Sequence, residues 1–173
     1  MLDPLPTWLL KDVSDNAVPF LTKLIKSPIA SGVVPCCLKH ANVTPVPKKA
    51  NIDQDNMNSY RPISNLPFVS KLFERYVAHC LLDHMTANNL LEIYQPAYKS
   101  HHSTETALVL VQNGIIGALD RRYGIILVLL DMSAAFDTVN HEILLSRLEH
   151  PYGMAGSVLA WMRSYVANRS QCV

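Results

Sequence analysis

A chain of 173 residues is long enough for one domain or parts of two, and at 49% hydrophobic residues it can build a sizeable core. A net charge of +1 excludes a protein that coats nucleic acid by bulk charge alone. Cys36, Cys37, Cys80 and Cys172 lack the paired C-x-x-C spacing of a zinc site and read as reduced, intracellular thiols. The amino terminus carries no signal-peptide pattern, and no apolar run approaches the roughly 20 residues of a membrane-spanning helix. The expectation is an intracellular protein, nuclear or cytoplasmic, without a membrane segment.

In chain order, Ser14 or Asp15 is expected to cap a helix with Val18, Leu21, Leu24 and Ile25 on its apolar face, ended by Pro28 and Gly32. Val43 and Val46, set among Pro45 and Pro47, suit a short edge strand, because proline cannot donate to a ladder. The polar stretch from Lys48 to Ser59 reads as a solvated loop that closes on Tyr60-Arg61-Pro62, where Pro62 holds Arg61 extended. The two strands and their loop would form a basic hairpin. Val69, Leu72, Phe73, Tyr76, Val77, Cys80 and Leu81 recur at three- and four-residue spacing, which predicts a helix over 69–89 stopped by Asn88-Asn89. His79 and His84 on that helix read as structural. Gln95 to Lys99 form a connector. Ser103 or Thr104 then caps a helix through Ala107, Val111, Ile115 and Ala118, with Glu105 in its first turn and Gly124 as its stop. Asp137 or Thr138 is expected to cap a helix with Ile143, Leu144 and Leu148, broken at Gly153. A further helix carries Val158, Leu159, Trp161, Met162 and Tyr165. The last residues look like the start of another strand.

The segment 124–137, GIILVLLDMSAAFD, stands out. Ile125 to Leu130, bounded by Gly124 and an acid, reads as a strand buried on both faces. A carboxylate at the end of such a strand, Asp131, is costly without a partner. Two chemistries fit: a divalent-metal ligand in a nucleotidyl-transfer site, or a phosphoryl-accepting nucleophile. The second wants another Asp two residues on, where Ser133 stands.

Five blocks in order carry a resemblance: VPCCLKHANVTPVPKK, NSYRPISNLPFVSKLFERYV, QPAYKSHHSTETAL, LVLLDMSAAFDTVNHEILLSRL and GMAGSVLAWMRSYVANRSQCV. Together they resemble the reverse transcriptase of non-LTR (LINE-like, jockey-like) retrotransposons along nearly the whole chain. The resemblance implies an α+β, helix-rich fold: the fingers and a partial palm of a right-hand polymerase. It divides the chain into an N-terminal helical extension (1–35), a fingers-like region (36–122) and a partial palm (123–173). It implies that Asp131 binds catalytic Mg²⁺ or Mn²⁺, with the Met132 backbone carbonyl as a further ligand. Ala134 and Ala135 would hold the incoming triphosphate through backbone N–H groups, and Phe136 would be the aromatic gate against a ribose 2′-hydroxyl. Arg61, with Lys48 or Lys49, would neutralise the triphosphate, and Gln95, Lys99 and Ser103 would lie near the template. The implied partners are an RNA template, a DNA primer and dNTPs.

Two departures bear on activity. The chain has no Asp-Asp pair and no glycine-rich PQG block, both of which the family carries after the segments matched here. Lys99 stands where arginine is common and Asn140 where aspartate is common. The expectation is a polymerase fragment that does not polymerise alone. Two other readings stay beside it: a non-catalytic nucleic-acid-binding module derived from such an element, and a phosphatase-like use of Asp131 as nucleophile.

Overall fold

The computed structural model describes residues 3, 6–51, 53–132 and 135–173. They divide into two compact units: residues 1–83 with 140–173, and residues 84–139.

The first unit opens with a short helix, α1 (Thr7–Asp12), that runs into α2 (Ser14–Ser31). The N-cap of α2 is Val13, without a side-chain cap, so Ser14 and Asp15 lie inside the helix. The Val13 carbonyl accepts from the N–H groups of Asn16 and Ala17, which lets one helix follow the other directly. Pro28 does not end α2. It lies inside, together with Pro19, and its carbonyl accepts from Val33 N–H and the Ser31 hydroxyl. The helix ends at Gly32, which takes the left-handed conformation (φ 70°) that glycine adopts at little cost. A Cβ at Gly32 would lie 2.8 Å from the Ala160 Cβ, so the turn also sets how closely α2 approaches α6 (Gly156–Val166).

A three-stranded sheet follows, in the order β2-β1-β3. β1 (His40–Pro47) pairs antiparallel with β2 (Tyr60–Asn65) and parallel with β3 (Ser170–Cys172), so the strand expected at an edge is the central one. The proline argument holds for half of it. The Lys48 N–H to Ser59 carbonyl bond sets the parity of the β1–β2 ladder. With Pro45 opposite Pro62 and Pro47 opposite Tyr60, those prolines fall at non-hydrogen-bonded positions. On β1, Pro45 and Pro47 therefore turn their missing donors away from β2, toward the side where β3 lies. β3 pairs only with His40–Asn42, short of both prolines. β3 itself fulfils the expectation of a final strand.

The core of this unit is Val34, Phe73 and Trp161, flanked by Ile25, Ile29, Leu38, Val69, Val77, Met162 and Tyr165. Phe73 comes from α3 (Phe68–Ala87), the clearest helix in the sequence, which ends where Asn89 turns left-handed (φ 54°). Polar groups tie the layer together. The Asp3 carboxylate accepts from Phe68 N–H (2.7 Å), capping α3 from 65 residues away. The Ser164 hydroxyl of α6 accepts from Val34 N–H (2.9 Å) and from Lys39 Nζ (3.4 Å). Lys39, only 7% exposed, also donates to the Ala167 carbonyl at the C-cap of α6. A cation at a helix C-terminus complements the macrodipole, which offsets part of the desolvation cost of burying it. Tyr165 donates to Glu74 (2.6 Å) and stacks on Trp161, with the Arg169 guanidinium over its ring. Helix α5 (His141–Glu149) is capped by Asn140, whose side chain accepts from the N–H groups of Glu142 and Ile143; neither Asp137 nor Thr138 does this. A residue one position before the helix reaches those donors, whereas Asp137 and Thr138 belong to the preceding turn.

The second unit is built on α4 (Thr104–Asp120). Ser103 is its N-cap in a reciprocal box with Thr106. The helix ends at Asp120, where Arg122 takes φ 60°, before Gly124 is reached. The run Ile125–Leu130 corrects the sequence reading. It has no regular structure and is exposed, with Ile126 and Leu130 each 90% accessible. A strand buried on both faces needs hydrogen-bonded neighbours and a layer on each side. Among the described residues of this unit there is no strand to provide them.

Candidate functional site

The β1–β2 hairpin of the first unit gathers three of the predicted cations. Arg61 on β2 pairs with Val46 on β1, two positions before Lys48, so Arg61, Lys48 and Lys49 share the loop end of the hairpin. All three are exposed, and among the described residues none forms a salt bridge. Lys48 is directed by its Nζ, which donates to the Asn58 carbonyl (2.7 Å). The loop that presents this carbonyl is folded by local amide chemistry. The Asn56 side chain accepts from Asn58 N–H, the Asp53 carboxylate accepts from Asp55 N–H, and the Tyr60 hydroxyl donates to the Gln54 carbonyl. Asn56 and Asn58 were not singled out from the sequence, although asparagine in a polar stretch is a usable signal for such turns. The side chains of Lys49 and Arg61 make no hydrogen bond among the described residues. They stand as uncommitted cations suited to phosphate oxygens.

In the second unit, Gln95, Lys99 and Ser103 lie on the connector that leads into α4. Lys99 is held back on this connector by donating to the Glu92 carbonyl. Tyr98 (φ 61°) and His101 (φ 63°) both take left-handed backbone, uncommon for an aromatic residue, so the connector is sharply folded. Ser103 is occupied as the α4 cap. Glu105 lies in the first turn, and its carboxyl is held below the usual range, first by the Ser103 side chain and then by its own backbone N–H.

Asp131 and Met132 follow the exposed apolar run, both accessible to solvent. Ser133 and Ala134 lie outside the described residues, so the phosphate seat assigned to Ala134 is not part of the described site. Ala135 opens a turn in which its carbonyl accepts from the Thr138 hydroxyl (3.0 Å). Phe136 is 85% exposed, so it is not a core residue of this unit. Among the described residues no group of three or more His, Cys, Asp or Glu side chains is placed to hold a metal ion. The described donors around Asp131 therefore do not by themselves make up a two-metal centre. His79 belongs to no such group either; it lies 3.5 Å from the Asp83 carboxylate, one helical turn away.

Residues 46–171 match the reverse transcriptase (RNA-dependent DNA polymerase) family, and the chain belongs to it. The match takes in the hairpin cations, the α4 connector and the segment around Asp131. Similar proteins from Drosophila melanogaster are a probable RNA-directed DNA polymerase from transposon BS, 36% identical over 96 residues, and the RNA-directed DNA polymerase from mobile element jockey, 29% identical over 143 residues. A probable RNA-directed DNA polymerase from transposon X-element is 26% identical over 160 residues. These alignments cover 56%, 83% and 92% of this chain but only 11%, 16% and 17% of those proteins. The chain is thus a reverse transcriptase fragment of the non-LTR retrotransposon kind, spanning a small part of its relatives' length. The polymerase fold that this family implies agrees with a chain that mixes helices with a small sheet. No helix among the described residues is long and apolar enough to cross a membrane.

Proposed function

We propose that this chain is the part of an RNA-directed DNA polymerase that meets the incoming nucleotide and the template, and that it does not polymerise by itself. The fingers-like region (36–122) presents Lys48, Lys49 and Arg61 to the triphosphate of a dNTP. Gln95, Lys99 and Ser103 face the RNA template, and the partial palm (123–173) contributes Asp131, the Met132 carbonyl, the backbone of Ala134 and Ala135, and Phe136. The observation that carries this reading is the family match over 46–171, which spans all of these positions. The cluster of exposed, unpaired cations at the hairpin tip agrees with it.

Asp131 would be one ligand of a Mg²⁺ or Mn²⁺ centre whose other carboxylates come from elsewhere in a longer protein. When bound, the metal supplies charge neutralisation and a more nucleophilic primer hydroxyl. The chain's own residues bind phosphate, close on the sugar and orient the template. Family membership leaves the phosphoaspartate reading of Asp131 without support.

The test is primer extension on an RNA template. In the longer protein, Asp131→Ala should abolish dNTP incorporation, a loss of several orders of magnitude. Residues 1–173 alone should incorporate nothing. Full activity in the Asp131→Ala protein would refute the role given to that carboxylate. A second reading, RNA binding without synthesis, is favoured by the uncommitted Lys49 and Arg61. It expects salt-sensitive RNA binding by residues 1–173 that weakens when both are replaced by alanine.

A further inference from the structure

The parallel β1–β3 pairing builds a constellation that no polymerase role uses. It places His40 opposite Ser170 and Asn42 opposite Cys172, joining positions about 130 residues apart. The His40 Nδ1 lies 2.9 Å from the Ser170 hydroxyl oxygen, and its Nε2 lies 3.5 Å from the Cys172 Sγ. The single Cys172 S–H has a competing acceptor in Asn42 Oδ1, at 3.2 Å. Thiol, imidazole and a third group that orients the ring thus stand in hydrogen-bond order, the arrangement that activates a sulfur nucleophile. All of these side chains but that of Asn42 are exposed, so a small electrophile has access.

From this geometry we infer that Cys172 is a selectively reactive thiol, with His40 as its base, and that it exchanges with small-molecule disulfides such as glutathione disulfide. When Nδ1–H donates to the Ser170 oxygen, the Nε2 lone pair faces the thiol and takes its proton. A half-turn of the Asn42 amide then brings an N–H to the sulfur, which the oxygen faced before. The Cys172 thiolate attacks one sulfur of the disulfide. A new S–S bond forms to Cys172, the original S–S bond breaks, and the departing thiolate takes the proton from His40. Cys172 is oxidised to a mixed disulfide, and half of the small disulfide is reduced to a thiol.

The other cysteines provide the internal standard. Cys36 and Cys37 lie exposed in a 3₁₀ turn (Cys36–Leu38) with no imidazole partner among the described residues. Cys80 hydrogen-bonds the phenol of Tyr76, an interaction that raises the Tyr76 pKa.

The experiment exposes the 173-residue chain to glutathione disulfide, quenches with acid at intervals and maps mixed disulfides by peptide mass spectrometry. Cys172 should react about tenfold faster than Cys36 and Cys37 in the native chain, and all should converge in guanidinium. His40→Gln, at an exposed strand position, should bring Cys172 to within about twofold of them. Equal native rates, or an unchanged Cys172 rate in His40→Gln, would overturn the inference. The native-to-denatured comparison needs no variant, so it holds even if the substitution disturbs the sheet.

Discussion

Gly32→Ala tests the packing that joins α2 to α6. The substitution has two separable costs. Holding an L-residue at φ 70° costs about 1–2 kcal/mol. The new Cβ also falls 2.8 Å from the Ala160 Cβ and 3.2 Å from the Ser157 carbonyl oxygen, and overpacking of this kind costs roughly 1–3 kcal/mol. The sum is a loss of about 2–5 kcal/mol, a large share of a domain's stability. Ala160→Gly alone removes the side-chain partner and should cost about 1 kcal/mol through helix propensity. The double variant keeps the backbone cost but sheds the Cβ–Cβ clash, so it should be more stable than the sum of the singles implies by about 1–2 kcal/mol. Urea unfolding, followed by far-ultraviolet circular dichroism and by the fluorescence of buried Trp161, gives the four values of the cycle. A Gly32→Ala loss below about 0.5 kcal/mol would refute the close approach of the two helices. A coupling near zero would leave only the backbone cost.

The remaining predictions concern ionisation, a cap and the sugar gate. Burial, followed by the hydrogen bond and charge of Glu74, pushes Tyr165 up to about 12 from 10, with Arg169 opposing. A raised folded-state value means that this stabilisation is complete below pH 10 and lost as pH rises from 10 to about 12. Two units correspond to about 2.7 kcal/mol, which partial solvent exposure reduces to roughly 1–1.5 kcal/mol. Tyr165→Phe should remove that alkaline limb from the urea midpoint plotted against pH, and a limb that persists would assign it elsewhere. Ser103→Ala should cost α4 about 1 kcal/mol and let the Glu105 carboxyl titrate at higher pH, read by NMR. An unmoved Glu105 titration would contradict the Ser103 contact as its leading cause. In the longer polymerase, Phe136→Ala should retain DNA synthesis but admit ribonucleotides, and an unchanged dNTP-to-rNTP preference in competition assays would reject the gate.

What the sequence determined by itself was local. The three- and four-residue recurrence from Val69 to Leu81 predicted α3, the adjacent Ser103 and Thr104 announced the start of α4, and Trp161 with its apolar neighbours marked α6. The ordered motifs named the family, because they are short strings that need no tertiary contact to be legible. They also placed Arg61 and the two lysines on one hairpin, since a polar loop between two strands leaves little choice of topology. The tertiary structure decided whatever depends on a distant partner. Asp3 caps α3, Ser164 meets Val34, and Lys39 is buried against the end of α6. β1 became central because β3 arrives from the far end of the chain and pairs with His40–Asn42. Ile125–Leu130 has the composition of a buried strand, yet burial belongs to the layers around it, and no strand pairs with it among the described residues. Periodicity and capping act through neighbours in the chain. Strand pairing, core partners and the His40–Cys172 contact are set by which remote backbone comes alongside, a choice that tertiary packing makes.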